Sequence, residues 1–267
     1  MRSLLNDVPA VWLLVAAACL AVVIVIPAVL LVRHFVPATR EGYHAEISAP
    51  MLGVVAALFG LFLAFVIIIA YQNYLTAQTN VSREAQALSA IVRDSEAFPE
   101  PGGREVRASV GDYSRAVVFK SWRLMRTGRV SGVATADLNG IFAALRGVRP
   151  DSTQSRTFYE DAVTQANTAA SAREDRLGSV AGGIPSVIVI LVLFNTLVIV
   201  GYAVFVGSPS FFFHALGPTA IAVVVAVSIV VLFDLSYPFS GSVTVSTHDL
   251  RSGELEQFFK ATAAAPR

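Results

Sequence analysis

Residues 184–233 read IPSVIVILVLFNTLVIVGYAVFVGSPSFFFHALGPTAIAVVVAVSIVVLF, and they decide the fold. No Asp, Glu, Lys or Arg interrupts them, or any position between Arg176 and Asp234. A helix that crosses a bilayer needs about 20 apolar residues for a hydrocarbon core of about 30 Å. The interval is too long for one crossing and fits two. Gly207, Ser208, Pro209 and Ser210 stand at its middle, where a tight turn is needed.

Working outward, two more charge-free intervals appear, between Asp7 and Arg33 and between Glu46 and Arg83. Each holds one crossing. The sequence therefore predicts four spans, Val8 to Val32, Ala49 to Tyr71, Ile184 to Val206 and Phe211 to Phe233. These runs are continuously apolar rather than alternating, which disfavours a β-barrel. The first exceeds the 7–15 residues of a signal-peptide core, so it reads as an uncleaved span. The composition agrees: 55% of residues are hydrophobic and 15% are charged, against about 25% charged in ordinary soluble domains.

The expected fold is an all-α integral membrane protein, with two transmembrane hairpins flanking a helical cytoplasmic insert. The expected organisation is a first hairpin over 1–74, the insert over 75–182, a second hairpin over 183–236 and a cytoplasmic tail over 237–267. Fourteen of the twenty basic residues fall between Arg83 and Arg176, and Arg2, Arg251, Lys260 and Arg267 flank the first and last spans. The loop between the first two spans has Arg33 and Arg40, diluted by Glu41 and Glu46, and the loop between the last two has no charge. Positive charge near the spans stays on the cytoplasmic side. The insert and both termini are thus expected in the cytoplasm of a multi-pass plasma-membrane protein.

Inside the insert, apolar residues recur at helical spacing. Ala85, Leu88, Ile91, Val92 and Ser95 extend the second span up to Phe98-Pro99. Val106, Val110, Tyr113, Val117, Ser121 and Leu124 make one face of a second helix that ends near Gly128. Leu138, Ile141, Phe142 and Leu145 mark a third, starting at Ser131 or Thr135. Phe158, Ala162, Ala166, Ala169 and Leu177 mark a fourth, starting near Ser152. Pro185 fits the first turn of the third span. In the tail, Gly241 to Ser246 alternates like a short strand or extended segment, and Ser252 is placed to cap a helix carrying Leu255, Phe258 and Phe259.

Span two has the most pattern. Gly53, Ala56, Ala57, Gly60 and Ala64 share one side, and Phe59, Phe62, Phe65 and Ile69 lie opposite. Small residues let helices approach closely in lipid, so the small side is expected to pack against span one, where Ala10, Ala17, Ala21 and Ala28 line up. The aromatic side fits lipid contact, a neighbouring subunit, or a hydrophobic constriction of the kind that gates ions by dewetting. Asn195, beside Thr196 in the middle of span three, is expected to bond to another helix, with a permeation path as the alternative. Asp234 closes span four at the boundary water can reach; an ionisable residue at membrane depth is a functional candidate. The basic helix at Arg115, Lys120, Arg123, Arg126 and Arg129 reads as a solvated face, with anionic lipid as its other partner.

No nucleotide loop, nucleophile elbow or paired-histidine zinc motif occurs. The single cysteine, Cys19, lies in span one, and His34, His44, His214 and His248 are scattered. No enzyme activity, cofactor, metal or nucleic-acid partner is expected.

The ordering of several short pieces carries a resemblance. Tyr71, Tyr74 and Glu84-Ala85-x-x-Leu88 follow span two. Tyr113, Val117-Val118 and Trp122 come next, then Phe158-Tyr159 and Arg173 to Leu177 before Pro185. Pro238-Phe239-Ser240-Gly241 and Val245-Ser246 follow span four. Together these resemble the bestrophin-like domain family of mostly bacterial membrane proteins. Members commonly carry an acid where this chain has Ser236, and another where it has Ser121. The resemblance implies a likeness to bestrophins, pentameric anion channels with aromatic and aliphatic rings on the second span. It makes Phe59, Phe62, Phe65 and Ile69 the candidate pore-lining residues of a homo-oligomer passing an inorganic anion. The competing expectation is a membrane-anchored scaffold or sensor whose insert binds a partner.

Overall fold

In a computed structural model, residue 6 and residues 8–37, 39, 45–130 and 132–263 are described. Arg2, Arg40, Glu41, His44 and Arg267 lie outside them, as does Ser131, one of the two expected starts of the third insert helix. The described residues are helical with no strand. They fall into two compact units: a spanning unit of residues 7–72 and 183–236, and a helical unit of residues 1–6, 73–182 and 237–267.

The spanning unit holds α1 (Ala10–Phe35), the first part of α2 (Ala45–Asp94), α7 (Ser186–Phe205) and α8 (Phe211–Ser236). These are the four membrane-crossing helices. Pro27 and Pro218 sit inside α1 and α8; membrane helices tolerate proline where neighbours re-satisfy the freed carbonyls. Pro185 caps α7 from just outside it rather than joining its first turn.

Packing departs from expectation. α1 lies most extensively against α8, with Ala21, Val25 and Val29 buried among Val204 and Ala222. α2 packs through Phe59 and Leu63 against Val192, Ile199 and Val225, and through Val66 and Ala70 against Leu232 and Leu235. Most of its small side is not packed: Gly53, Ala57, Gly60 and Ala64 are exposed with nothing near either glycine, and Ala56 alone is half-buried, against the Phe59 cluster. Of the alanines of α1, Ala21 and Ala28 pack in the cluster with Val204 and Ala222 instead. The reason is physical. Lipid and protein interior are equally apolar, so larger side chains that fill the seam with dispersion contacts compete well with small ones that merely permit close approach.

Gly207 holds the turn between α7 and α8 against the loop after α1. A Cβ on it would collide with the backbone of Thr39. Backbone cannot swing aside as a flexible side chain can, so only glycine fits.

In the helical unit, α2 continues to Asp94 and closes with a tighter turn over Ser95–Ala97. α3 (Gly102–Ala116), a π turn (Val117–Ser121) and α4 (Trp122–Arg126) form one bent helix. α5 (Val133–Gly147) and α6 (Thr153–Ala181) follow. The Ser152 hydroxyl accepts from the Ser155 N–H and caps α6. One buried cluster joins Val81, Leu88 and Ile91 to Val106, Val110, Tyr113 and Val117, then to Leu138, Ile141, Leu145, Ala162, Ala166 and Ala169. The π turn inserts a residue into the helical register. Beyond it, Trp122 and Met125 are buried where an unbroken period places Leu124. Phe158 is likewise exposed rather than on the buried face of α6.

The tail packs on the same unit. Phe239 meets Trp122 edge to face at 5.4 Å. The Ser240 hydroxyl donates to the Arg126 carbonyl at 2.7 Å, and the Gly241 N–H donates to Asn6 Oδ1 at 3.0 Å. Residues 241–246 are irregular rather than paired as a strand. The Ser252 hydroxyl caps nothing and donates to the Asp249 carbonyl. A short 3-10 turn then leads into α9 (Gln257–Ala263), with Leu255 and Phe259 buried.

Substituting Gly207→Ala forces the two loops apart. It is expected to cost about 1–3 kcal/mol, read as a lowered unfolding midpoint of the detergent-solubilised protein.

Candidate functional site

The four sequence candidates on α2 do not share one environment. Phe59 is 8% exposed, inside the seam with α7 and α8. Phe62 is half-buried at its edge. Phe65 and Ile69 are 58% and 50% exposed. Phe59 is thus a core residue of its own protomer. The outward edge consists of Leu58, Leu61, Phe65, Ile68 and Ile69, all exposed. No charged residue occurs from Ile47 to Ser82, so this edge offers bulk and apolarity alone.

Two polar candidates also differ from expectation. Asn195 is half-buried and makes no hydrogen bond among the described residues, whereas its neighbour Thr196 donates back to the Val192 carbonyl at 2.7 Å. Asp234 is 7% exposed, buried in the last turn of α8 rather than open to water.

A polar clamp missed in the sequence sits at the α7–α8 turn. Arg33 donates from Nη1 to the Ser208 carbonyl at 2.8 Å and from Nη2 to the Pro209 carbonyl at 3.1 Å. Its Nη1 also lies 3.2 Å from His214 Nδ1, and His214 Nε2 lies 2.9 Å from the Val204 carbonyl. A carbonyl can only accept, so Nε2 carries the proton and Nδ1 accepts from Arg33.

In the helical unit, Glu84, Tyr113 and Arg176 are each fully buried. Arg176 donates from Nε to Glu84 Oε2 at 2.6 Å and from Nη2 to Oε1 at 3.1 Å. The Tyr113 hydroxyl donates to Oε1 at 2.5 Å, and Arg176 Nη1 reaches Met125 Sδ at 3.0 Å. The group ties α2, α3, α4 and α6 together. Burial works against the guanidinium charge, but the Glu84 carboxylate outweighs it and holds Arg176 above its ordinary range. Burial, then the charge of Glu84, holds the Tyr113 phenol well above 10.0. In the sequence, Glu84, Tyr113 and Arg176 stand out only as parts of the pieces that carry the family resemblance, with no sign that they meet.

Farther along α2, Asp94 is 7% exposed and its Oδ2 has no hydrogen bond. Burial, and then the like charge of Asp161 on α6, push its carboxyl up to about 6. Ser236 and Ser121 stand where the resembled family carries acids. The first donates to the Leu232 carbonyl, and the second is buried with no partner. Of the basic face, Arg115 pairs with Asp112 at 2.7 Å, and Lys120, Arg123, Arg126 and Arg129 are exposed. No group of three or more metal-binding side chains occurs among the described residues.

A family model described as the bestrophin-like domain matches residues 16–250. No curated protein matches the chain. Two crystal structures share the fold. One, of a membrane-protein variant, has a TM-score of 0.68 at 11% identity, with 93% of this chain and 98% of that one covered. The other, a variant of a bacterial bestrophin homologue from Klebsiella pneumoniae, has a TM-score of 0.65 at 12% identity, with 92% and 99% covered.

Substituting Glu84→Gln leaves Arg176 charged and buried without a counter-ion. It is expected to cost about 3–5 kcal/mol, measured by unfolding of the full-length protein. Asp94 has a pH signature. The unfolded carboxyl titrates near 3.8, so the folded state holds an extra proton between there and about 6. Stability from this group is present at low pH and is lost as pH rises through that interval. Unfolding midpoints taken from pH 4 to 7 are expected to show the decline, and Asp94→Asn to remove it.

Proposed function

We propose, given that this chain belongs to the bestrophin-like domain family, that it assembles in the cell membrane as a homo-oligomeric channel for small inorganic anions, with α2 of each copy facing the central axis. The observation that carries the reading is the outward edge of α2. Leu61, Phe65 and Ile69, on successive turns, point away from the bundle that buries Phe59. Copies arranged around an axis turn this edge into stacked rings of apolar side chains, a constriction that opens and closes by wetting. Phe62 sits at the border of that edge and Phe59 behind it, as support.

Two further features support an assembly. Asn195 places an amide without a partner among the described residues at mid-membrane, where lipid offers it nothing; a second copy or a water-filled path would supply one. The α2 edge carries no carboxylate, so it has no acidic ring of the type that favours cations. The helical unit and the tail are assigned to the cytoplasm. Arg83 and the basic residues beyond it accompany the spans during insertion, when orientation is set on the unfolded chain.

Reconstitution into planar bilayers tests the reading. Phe65→Ala is expected to change unitary conductance or open probability several-fold. Phe59→Ala is expected to lower stability by about 3–5 kcal/mol as a core truncation. A reconstituted oligomer that stays silent across voltage and anion type, or a Phe65→Ala, Ile69→Ala double variant that conducts like the parent, overturns it.

A further inference from the structure

Arg173 lies three residues before Arg176 on α6 and so shares its side of the helix. Their surroundings differ. Arg176 is paired with Glu84, whose two oxygens are taken by Arg176 and Tyr113. Arg173 is only 8% exposed, yet no carboxylate reaches it among the described residues. Its chain neighbours Glu174 and Asp175, and Asp137 on the facing helix α5, form no ion pair with it. Its contact is a 2.7 Å hydrogen bond from Nη2 to Thr135 Oγ1, and its Nε–H is buried with no acceptor.

A guanidinium keeps its charge at every physiological pH. It cannot escape desolvation by giving up a proton, as a buried lysine can. A buried charge without a counter-charge is strongly unfavourable, so the site is complete only with something anionic in it.

The position of Thr135 says where that anion sits. It lies in the first turn of α5, whose N-terminus follows Gly132 and has no side-chain cap. The start of a helix presents unbonded N–H groups and the positive end of the dipole. The Thr135 hydroxyl accepts from Arg173 and still has its own proton to give. The Thr135 N–H is taken by the Gly132 carbonyl at 3.0 Å, but the orphan Nε–H, that hydroxyl and the N–H groups of Val133 and Ala134 are donors with no acceptor among the described residues. A planar guanidinium edge beside several single donors matches a multi-oxygen anion better than a spherical one.

We propose that Arg173, Thr135 and the N-terminus of α5 form a binding site for a phosphate-type oxyanion, which supplies the negative charge the helical unit lacks. The oxyanion is either free inorganic phosphate or the headgroup of an anionic lipid. The site stands independently of ion conduction, and its test needs none.

The full-length protein in detergent is titrated with inorganic phosphate, and with chloride at matched ionic strength, while its unfolding midpoint is followed. Phosphate is expected to raise the midpoint saturably and chloride to do so weakly. Thr135→Val removes this hydroxyl and its bond from Arg173, and is expected to weaken the apparent phosphate affinity about tenfold, as for one hydrogen bond to a charged group. Arg173→Met is expected to abolish the phosphate response while unfolding no lower than the parent in phosphate-free buffer. Phosphate-free nanodiscs of phosphatidic acid, compared with phosphatidylcholine, separate the sources. Stabilisation there that depends on Arg173 identifies the headgroup, and stabilisation by phosphate in detergent alone identifies the free ion. Equal responses in the parent and both variants, or no response beyond matched chloride in either setting, overturns the proposal.

Discussion

Glu84 places a full negative charge where no water reaches, and the helical unit is organised around that fact. A buried carboxylate is tolerable only when both oxygens are hydrogen-bonded and a counter-ion is at hand. Arg176 meets both oxygens, and the Tyr113 hydroxyl completes the set. These groups come from helices far apart in the chain, so the pair can form only when α2, α3 and α6 are in register. Apolar residues such as Val110, Ile141 and Ala166 fill the space around them, but apolar contacts alone would accept neighbouring registers. The charged pair accepts one.

Arg173 throws this constraint into relief. It lies on the same helix and is nearly as buried as Arg176, but no acid pairs with it among the described residues. The contrast separates a charge that the chain satisfies internally from one that waits for a ligand. Asp94 solves its desolvation in a third way, by holding its proton up to about pH 6. An arginine does not have that option.

The spanning unit obeys the same rule with different means. It has few polar groups, and most close on backbone. Arg33 holds the Ser208 and Pro209 carbonyls, His214 bridges Arg33 to Val204, and Thr196 and Ser228 return to their own helices. Asn195 and the buried Thr219 hydroxyl are exceptions, making no hydrogen bond among the described residues. Gly207 lets the loops close beneath the clamp, because there is no room there for even one more carbon.

The amino-acid sequence by itself determined the four crossings, the helical insert between them, the breaks at Phe98-Pro99 and Gly182-Gly183, and the apolar faces of α3 as far as Val117 and of α5. Charge-free length and helical period carry that information, because water stands on one side of the insert helices and lipid surrounds the spans. Tertiary structure alone decided which arc of α2 is core. In lipid every arc is apolar, so Phe59 and Phe65 look alike in sequence although one is buried and the other exposed. It also decided that the π turn at Val117–Ser121 would hand the core from Leu124 to Trp122 and Met125, since one added residue rotates everything after it. And it alone joined Glu84 to Arg176, 92 residues away, and left Arg173 without an acid, because the pairing of buried charges depends on where helices cross and leaves no periodic trace in the chain.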